Sequence, residues 1–424
     1  MKTWIAVTGM VLATALPAAL PAQSGSSAPV PSDETIAALP LEQRFPTLLA
    51  YGRYFDAFEV IDVAPGEVTD RLRSSYRQMR PALDGFFYKD PAAPPLPPSD
   101  SEELAAYDGA TTEDAIRAIV ERARDRRVVI VNEAHDSPRD RAFILELAEA
   151  LKPLGFTHYA AETFTNQTPE MAAAAMEQLT RDGYPVHATG YYTNEPMFGY
   201  LVRRVMALGY RPVAYEAAYR PEQDALSRGE QIALREQAQA ENLAGALAAA
   251  GPEAKFLIHV GYGHAAERPP PGESEWMAAR LARLTGLDPL TIDQTEISEV
   301  APRPLDRALH AGLAPRVGEG PAIFRKDGAP LATGRLGSAT DLQVVHPLVT
   351  SVDGRPDWLR HTGRIAVAIP AELLPAAGRR LVQAFVVGEA DDAVPLDQAL
   401  VVAGEEPPML YVPDGVEVRW AVQG

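Results

Sequence analysis

The 424-residue chain contains no cysteine. That excludes disulfides, thiolate metal sites, a cysteine nucleophile and lipidation at a leader cysteine together, so a bound metal would need His, Asp or Glu ligands. Lysine is scarce, at five of 39 basic residues, and bases are outnumbered by acids to a net charge of −18. A nucleic-acid backbone or an anionic membrane surface is therefore a poor partner, and no nucleic acid is expected. After the first two dozen residues no apolar run approaches the ~20 residues of a membrane span. Also missing are a Gly-x-x-x-x-Gly-Lys phosphate loop, a Gly-x-Gly-x-x-Gly turn after the first strand, a Gly-x-Ser-x-Gly elbow and a His-Glu-x-x-His zinc motif. Nucleotide binding, serine-esterase chemistry and ordinary zinc-hydrolase chemistry thereby lose their usual sequence support.

What remains is ordinary globular composition, 46 % apolar and 23 % charged, in a chain long enough for two or three domains at roughly 150 residues each. Lys2, an apolar stretch to about Leu16 and Pro17-Ala18-Ala19-Leu20-Pro21-Ala22 have the three regions of a secretory signal. Residues 1–22 are read as that signal, which predicts an exported protein, periplasmic or secreted, with no integral membrane segment after cleavage. Residues 23–105 are expected to form a flexible start, an accessory helical segment with Phe45, Tyr51, Tyr54 and Phe55 placed to pack, and a proline linker at 90–98.

Residues 106–300 alternate strand and helix signals. Short apolar runs at 128–131, 158–161, 212–215, 256–260 and 290–292 read as strands buried on both faces. Between them lie helical stripes, clearest at 138–151, where Ser137 is expected to cap and Pro138 to open the helix, and at 227–249 and 274–284. The fold class is therefore α/β, a parallel sheet with helices on both faces. Residues 301–424 are assigned to a linker and, from about 320, a small antiparallel β-sandwich.

Ionisable residues follow the strands: Glu133 and His135, Glu162, Glu216, His264 after Gly261-Tyr262-Gly263, and Asp293. The carboxyl ends of parallel strands share one sheet edge, so these side chains are expected to converge on one crevice. Carboxylates brought together repel unless a cation or an arginine sits among them. Arg235, with Gln239 and Asn242 on the same helix face, is the candidate arginine. The metal alternative is Mn, Zn or Fe held by Glu133, His135, Glu162 and His264. His259, inside an apolar strand, reads equally as a core histidine or as a haem ligand. Tyr191 and Tyr192 are candidates for haem or iron contacts, and Tyr219 and Arg220 for the crevice wall.

Val128-Val129-Ile130-Val131-Asn132-Glu133-Ala134-His135-Asp136, Ala160-Ala161-Glu162-Thr163-Phe164, Arg235 to Asn242 and Gly261-Tyr262-Gly263-His264 resemble, in order, motifs of the superfamily of ChaN-like haem-uptake proteins, erythromycin esterases and Tiki proteases. The resemblance covers about 126–299. It implies an α/β fold with Glu133, His135, Glu162 and His264 around one pocket, supported by Glu216 and Arg235, and an activity among metal-dependent proteolysis, metal-independent ester hydrolysis and haem binding. Asn132 stands where the family usually has Gly, a departure that a left-handed backbone there would accommodate. The Glu-x-His spacing is that of the ChaN-like branch. The leading expectation is an exported hydrolase acting on a small-molecule or peptide substrate through an ester or amide bond. The alternatives are a haem- or iron-binding protein without catalysis, and a non-catalytic interaction protein whose β-rich tail binds a partner.

Overall fold

The computed structural model describes residues 31–61, 102–165, 168–218, 220–270 and 273–424. The signal assigned to 1–22, the proline linker at 90–98 and Tyr219 lie outside the described residues. No described helix is long and apolar enough to cross a membrane.

The strands are β1 (Thr111–Asp114), β2 (Val128–Glu133), β3 (Phe156–Ala161), β4 (Arg211–Ala214), β5 (Lys255–Gly261), β6 (Leu290–Asp293), β7 (Ala322–Lys326), β8 (Ala329–Pro330) and β9 (Leu342–Val345). They form one sheet in the order β1-β7-β9-β6-β2-β5-β3-β4, with β8 paired to β7. The ladders from β4 across to β9 are parallel, and β9–β7 and β7–β1 are antiparallel. The helices are α1 (Asp33–Ala37), α2 (Leu41–Ala50), α3 (Tyr54–Ile61), α4 (Glu102–Ala105), α5 (Ala115–Ala123), α6 (Pro138–Leu151), α7 (Pro169–Asp182), α8 (Pro196–Ala207), α9 (Arg228–Ala250), α10 (Met277–Thr285) and α11 (Pro304–Leu313).

The apolar strand runs bury both faces, as the expected α/β architecture requires. Val129, Val131, Tyr159, Ala161, Leu257 and Ile292 face α5, α6 and α8, while Val128, Ile130, Ala160, Phe256, Ile258 and Val260 face α9 and α10. Successive residues alternate between these two cores, as the period of a strand dictates. The chain passes from β2 to β3 and β4, returns to insert β5 between β3 and β2, and then crosses to β6 on the far side of β2. A reversal of this kind leaves a crevice beyond the carboxyl ends of the central strands.

Three local expectations are corrected. Ser137 precedes α6 without capping it, because its hydroxyl bonds the Asp140 carboxylate at 2.8 Å instead. Residues 322–326 and 342–345, expected in the sandwich, extend the large sheet as β7 and β9. Residues 322–324 are a continuous buried apolar run, and 342–345 are buried throughout, rather than alternating between buried and exposed. Asn132 has no left-handed backbone; its buried amide ties the Tyr262 carbonyl and Asp293 together, each at 2.8 Å.

The remaining tail forms small antiparallel sheets: β10 (Ser351–Val352) with β11 (Arg355–Pro356), β12 (Arg364–Val367) with β15 (Leu410–Pro413), and β13 (Arg379–Val386) between β14 (Asp397–Val402) and β16 (Val418–Gln423). Val382, Ala384, Val401, Leu410 and Val412 share one apolar core across the last two. Helices α1 to α3 pack through Phe45, Leu48, Leu49, Tyr54 and Phe58 onto Leu381, Leu400 and Tyr191.

Candidate active site

Glu133 ends β2 opposite Gly261 at the end of β5. Its carboxylate is 2 % exposed and is surrounded by donors. Arg141, in the first turn of α6, reaches back with Nε to Oε2 at 2.7 Å and Nη2 to Oε1 at 3.0 Å. His135 Nδ1 lies 3.0 Å from Oε1, and His259 Nε2 lies 2.9 Å from Oε2, off the line of an ideal hydrogen bond. Burial alone would push this carboxyl up. Arg141, then the charge contact with His259, and the hydrogen bond from His135 outweigh that effect and hold it well below the usual carboxylate range. An ionised carboxylate only accepts, so His135 carries a proton on Nδ1, and in the neutral ring Nε2 is the bare acceptor. Arg141 also donates to the His135 carbonyl at 2.8 Å and to Glu195 at 3.0 Å.

A second charged group stands beside the first. Glu162, one residue past β3, accepts from the Gly261 amide at 2.6 Å and from Arg235 Nη2. Arg235, on α9, also bonds Glu216 through Nε at 3.0 Å and His264 Nε2 through Nη1 at 3.1 Å. Gln239, one turn on, donates to Glu216 at 3.0 Å, and Asn242 donates to the Tyr215 carbonyl at 3.0 Å. Burial would raise the Glu162 carboxyl, but His264 and Arg235, with His135 and the Gly261 amide, bring it far below its ordinary value. His264 holds Glu236 through Nδ1 at 2.9 Å. Burial would lower its pKa, and Glu236 and Glu162 raise it above the ordinary imidazole value. His135 and His264 are thus each oriented by a carboxylate at Nδ1, an arrangement that fixes ring direction.

The His135 ring is stacked on Tyr192 at 4.0 Å between centroids and meets the Tyr262 edge at 5.1 Å. Tyr262 has φ 38°, a conformation that bulky residues seldom adopt and that the surrounding bonds must hold. Glu133, His135, Glu162, Thr163, Tyr192, Phe198 and Gly261 line a narrow recess.

The strand-end residues therefore come together as Glu133, His135, Glu162, Glu216, Arg235 and His264. Asp293 belongs elsewhere: fully buried, it accepts from Asn132 at 2.8 Å, Thr295 at 3.0 Å and Gln343 at 3.1 Å, and it fastens β6 to its neighbours. Arg220 is exposed. Tyr191 packs against the N-terminal helices, with only its neighbour Tyr192 at the recess.

The expected metal set does not fit. Among the described residues no group of three or more His, Asp or Glu is placed to hold an ion. The reason is chemical: Arg141 and Arg235 already satisfy the oxygens that Glu133 and Glu162 would offer. Haem does not fit either. His259 has both ring nitrogens inside the wall, Nδ1 on the Tyr159 hydroxyl at 2.7 Å and Nε2 against Glu133. The recess is also far too narrow, since sites for much lighter ligands enclose ~300–1,000 Å3.

Arg141, Glu195, Glu236 and Tyr159 were not singled out in the sequence. A signal existed for Arg141, which lies three and seven positions before Ile144 and Ala148 and so falls on the buried stripe of its helix. Glu236, beside Arg235, carries no comparable mark.

Asp140 shows what burial costs here. Its carboxylate accepts from the Ala134 amide at 2.9 Å and from Ser137, yet burial pushes it up to about 7. A carboxyl whose pKa is higher folded than unfolded takes up a proton on folding, so its contribution weakens as pH rises from about 4 through 7. Asp140→Asn keeps both hydrogen bonds without the charge. The variant is expected to melt above the wild type at pH 8, with the gap closing toward pH 5; a gap of equal size at both pH values would contradict the assignment.

No family model and no curated protein matches the chain. Among solved structures, one described as bacterial protein toxins is 15 % identical over 60 % of this chain and 57 % of its own, with TM-score 0.33. RRSP, a MARTX toxin effector domain from Vibrio vulnificus CMCP6, is 18 % identical over 53 % of this chain and 45 % of its own, with TM-score 0.31. A further bacterial protein toxin structure is 16 % identical over 53 % and 46 %, with TM-score 0.31. The chain spans about half the length of these structures.

Proposed function

We propose that the chain is an exported hydrolase of ester or amide bonds, related to the ChaN, erythromycin esterase and Tiki superfamily, whose centre is neutralised by arginine and works without a metal. The observation that carries this reading is the Glu133–His135 pair: a buried, ionised carboxylate fixes the imidazole at Nδ1, 3.0 Å away, and leaves Nε2 for a water proton. His135 is the general base. It takes the proton as the water oxygen attacks the carbonyl, and the resulting imidazolium, stabilised by Glu133, returns that proton to the departing alcohol or amine. Glu162 is held ionised and is not the acid. Arg235, held in place by Glu162, Glu216 and His264, supplies positive potential beside the developing oxyanion.

The test is a panel of ester and peptide substrates assayed with chelator and with added Mn²⁺, Zn²⁺ or Fe²⁺. The expected result is turnover that persists in chelator, falls at least ~100-fold in His135→Gln, and is accompanied by no thermal stabilisation from the metals. No turnover on any member, or turnover only with metal, contradicts the proposal.

A further inference from the structure

The N-terminal helices and the C-terminal β-module lie outside the catalytic sheet, yet both grip the segment that forms one wall of the recess. That segment, residues 184–195, includes two short 3-10 turns, His187–Thr189 and Tyr192–Asn194. On its inner side Tyr192 stacks on His135, the Tyr192 amide bonds Thr163 at 2.7 Å, and Glu195 pairs with Arg141 at 3.0 Å. On its outer side the β-module closes over it. The His187 amide bonds the Asp392 carbonyl at 3.0 Å, and the Val394 amide bonds the Pro185 carbonyl at 3.1 Å. From the N-terminal helices the Tyr54 hydroxyl donates to the Asn194 carbonyl at 2.8 Å. Gly52 approaches His187 so closely that a Cβ there would lie 2.4 Å from Nε2.

Asn194 joins the two sides. It is 1 % exposed. Its Oδ1 lies 2.8 Å from His187 Nδ1, and its Nδ2 donates to the carbonyls of Gly190 at 3.1 Å and Tyr191 at 3.2 Å. All these bonds lie within residues 187–194, so displacing Asn194 displaces Tyr192 two residues before it and Glu195 next to it. Buried backbone groups left without partners are costly, so the arrangement has one low-energy form while both flanking elements are seated.

We propose that Asn194 and His187 are positioning residues, through which the N-terminal helices and the β-module hold Tyr192 against His135 and Glu195 on Arg141. The role of the β-module is then to build the active site. This rests on the hydrolase reading only for what His135 does chemically. The test uses the full-length protein with Asn194→Ala and Tyr54→Phe, the latter deleting one hydroxyl that touches no residue of the recess. The expected result is that amides 187–195 exchange about tenfold faster or more, with β2 and β5 unchanged. The His135 Cε1 proton resonance shifts as the Tyr192 ring moves away. Unaltered exchange and an unaltered His135 resonance in both variants overturn the proposal, as does a loosened segment with an unmoved His135 resonance. Should Asn194→Ala fail to fold, Tyr54→Phe alone decides. If both signals respond while His135→Gln retains turnover, the hydrolase reading fails and the positioning role stands.

Discussion

Gly261→Ala is expected to abolish turnover in a protein that still folds. A Cβ at this position would lie 2.4 Å from His135 Cε1, 2.7 Å from its Nε2 and 3.1 Å from Glu162 Oε2. The first two separations are far inside van der Waals contact, so the imidazole has to leave its place between Tyr192 and Tyr262. The backbone at Gly261 is ordinary, φ −89°, and Ala strains nothing there; the whole effect falls on the site. A displaced general base forfeits its orientation by Glu133, and a loss of at least ~100-fold in kcat is expected. Circular dichroism and the melting temperature check that the fold survives, and steady-state kinetics reads the loss. Full activity in a folded Gly261→Ala protein would remove His135 Nε2 from the chemistry.

The largest effect on stability is expected for Arg141→Met. Arg141 is 1 % exposed and is held by Glu133 and Glu195, themselves 2 % and 0 % exposed. Removing one partner of a buried charged network leaves the others uncompensated, at a cost of about 3–5 kcal/mol. Glu195 also accepts from the amides of Met197 and Phe198, each at 2.8 Å, at the start of α8. Glutamine can retain such a bond without charge, so Arg141→Met with Glu195→Gln is expected to recover part of the loss, a coupling that a double-mutant cycle in urea measures. The pH dependence follows the sign of the Glu133 shift. Its folded pKa is depressed, so its contribution is present above the unfolded carboxyl value near 4.3 and disappears as pH falls toward the folded one. The wild type is therefore expected to lose part of its advantage over the single variant below about pH 4. Additive losses, with no recovery in the double variant, would show that Arg141 and Glu195 are not coupled and would contradict the shared network.

The parallel sheet was legible because its strands are runs of buried apolar residues, and an apolar run followed by an acid marks both a strand and the edge it reaches. Glu133, His135, Glu162, Glu216 and His264 followed from that rule, and Arg235 from the need to neutralise them. Asp293 obeyed the same rule and went elsewhere, because Asn132 and Gln343 offered it partners that the order of strands does not reveal. Arg141 was hidden by its neighbours: Arg139-Asp140-Arg141 reads as a solvated helix start, and only its phase with Ile144 and Ala148 separates it from one. The choice between a metal and an arginine turned on the same residue. Converging carboxylates require positive charge; Arg235 was legible as one source of it, and Arg141, the second, was not. β7 and β9 were misassigned because no parallel partner adjoins them in sequence, and the packing of 52–54, 184–195 and 390–394 joins segments hundreds of residues apart.

The protonation pattern of His135 tests the account most directly. Long-range-coupled ¹⁵N NMR of labelled protein distinguishes a protonated from a bare ring nitrogen, and His135→Gln supplies the assignment. The account predicts that neutral His135 carries its proton on Nδ1, facing Glu133, with Nε2 bare, and that Glu133→Gln disturbs this pattern. A His135 protonated on Nε2, or one that averages between tautomers in the wild type as it does in Glu133→Gln, would contradict it.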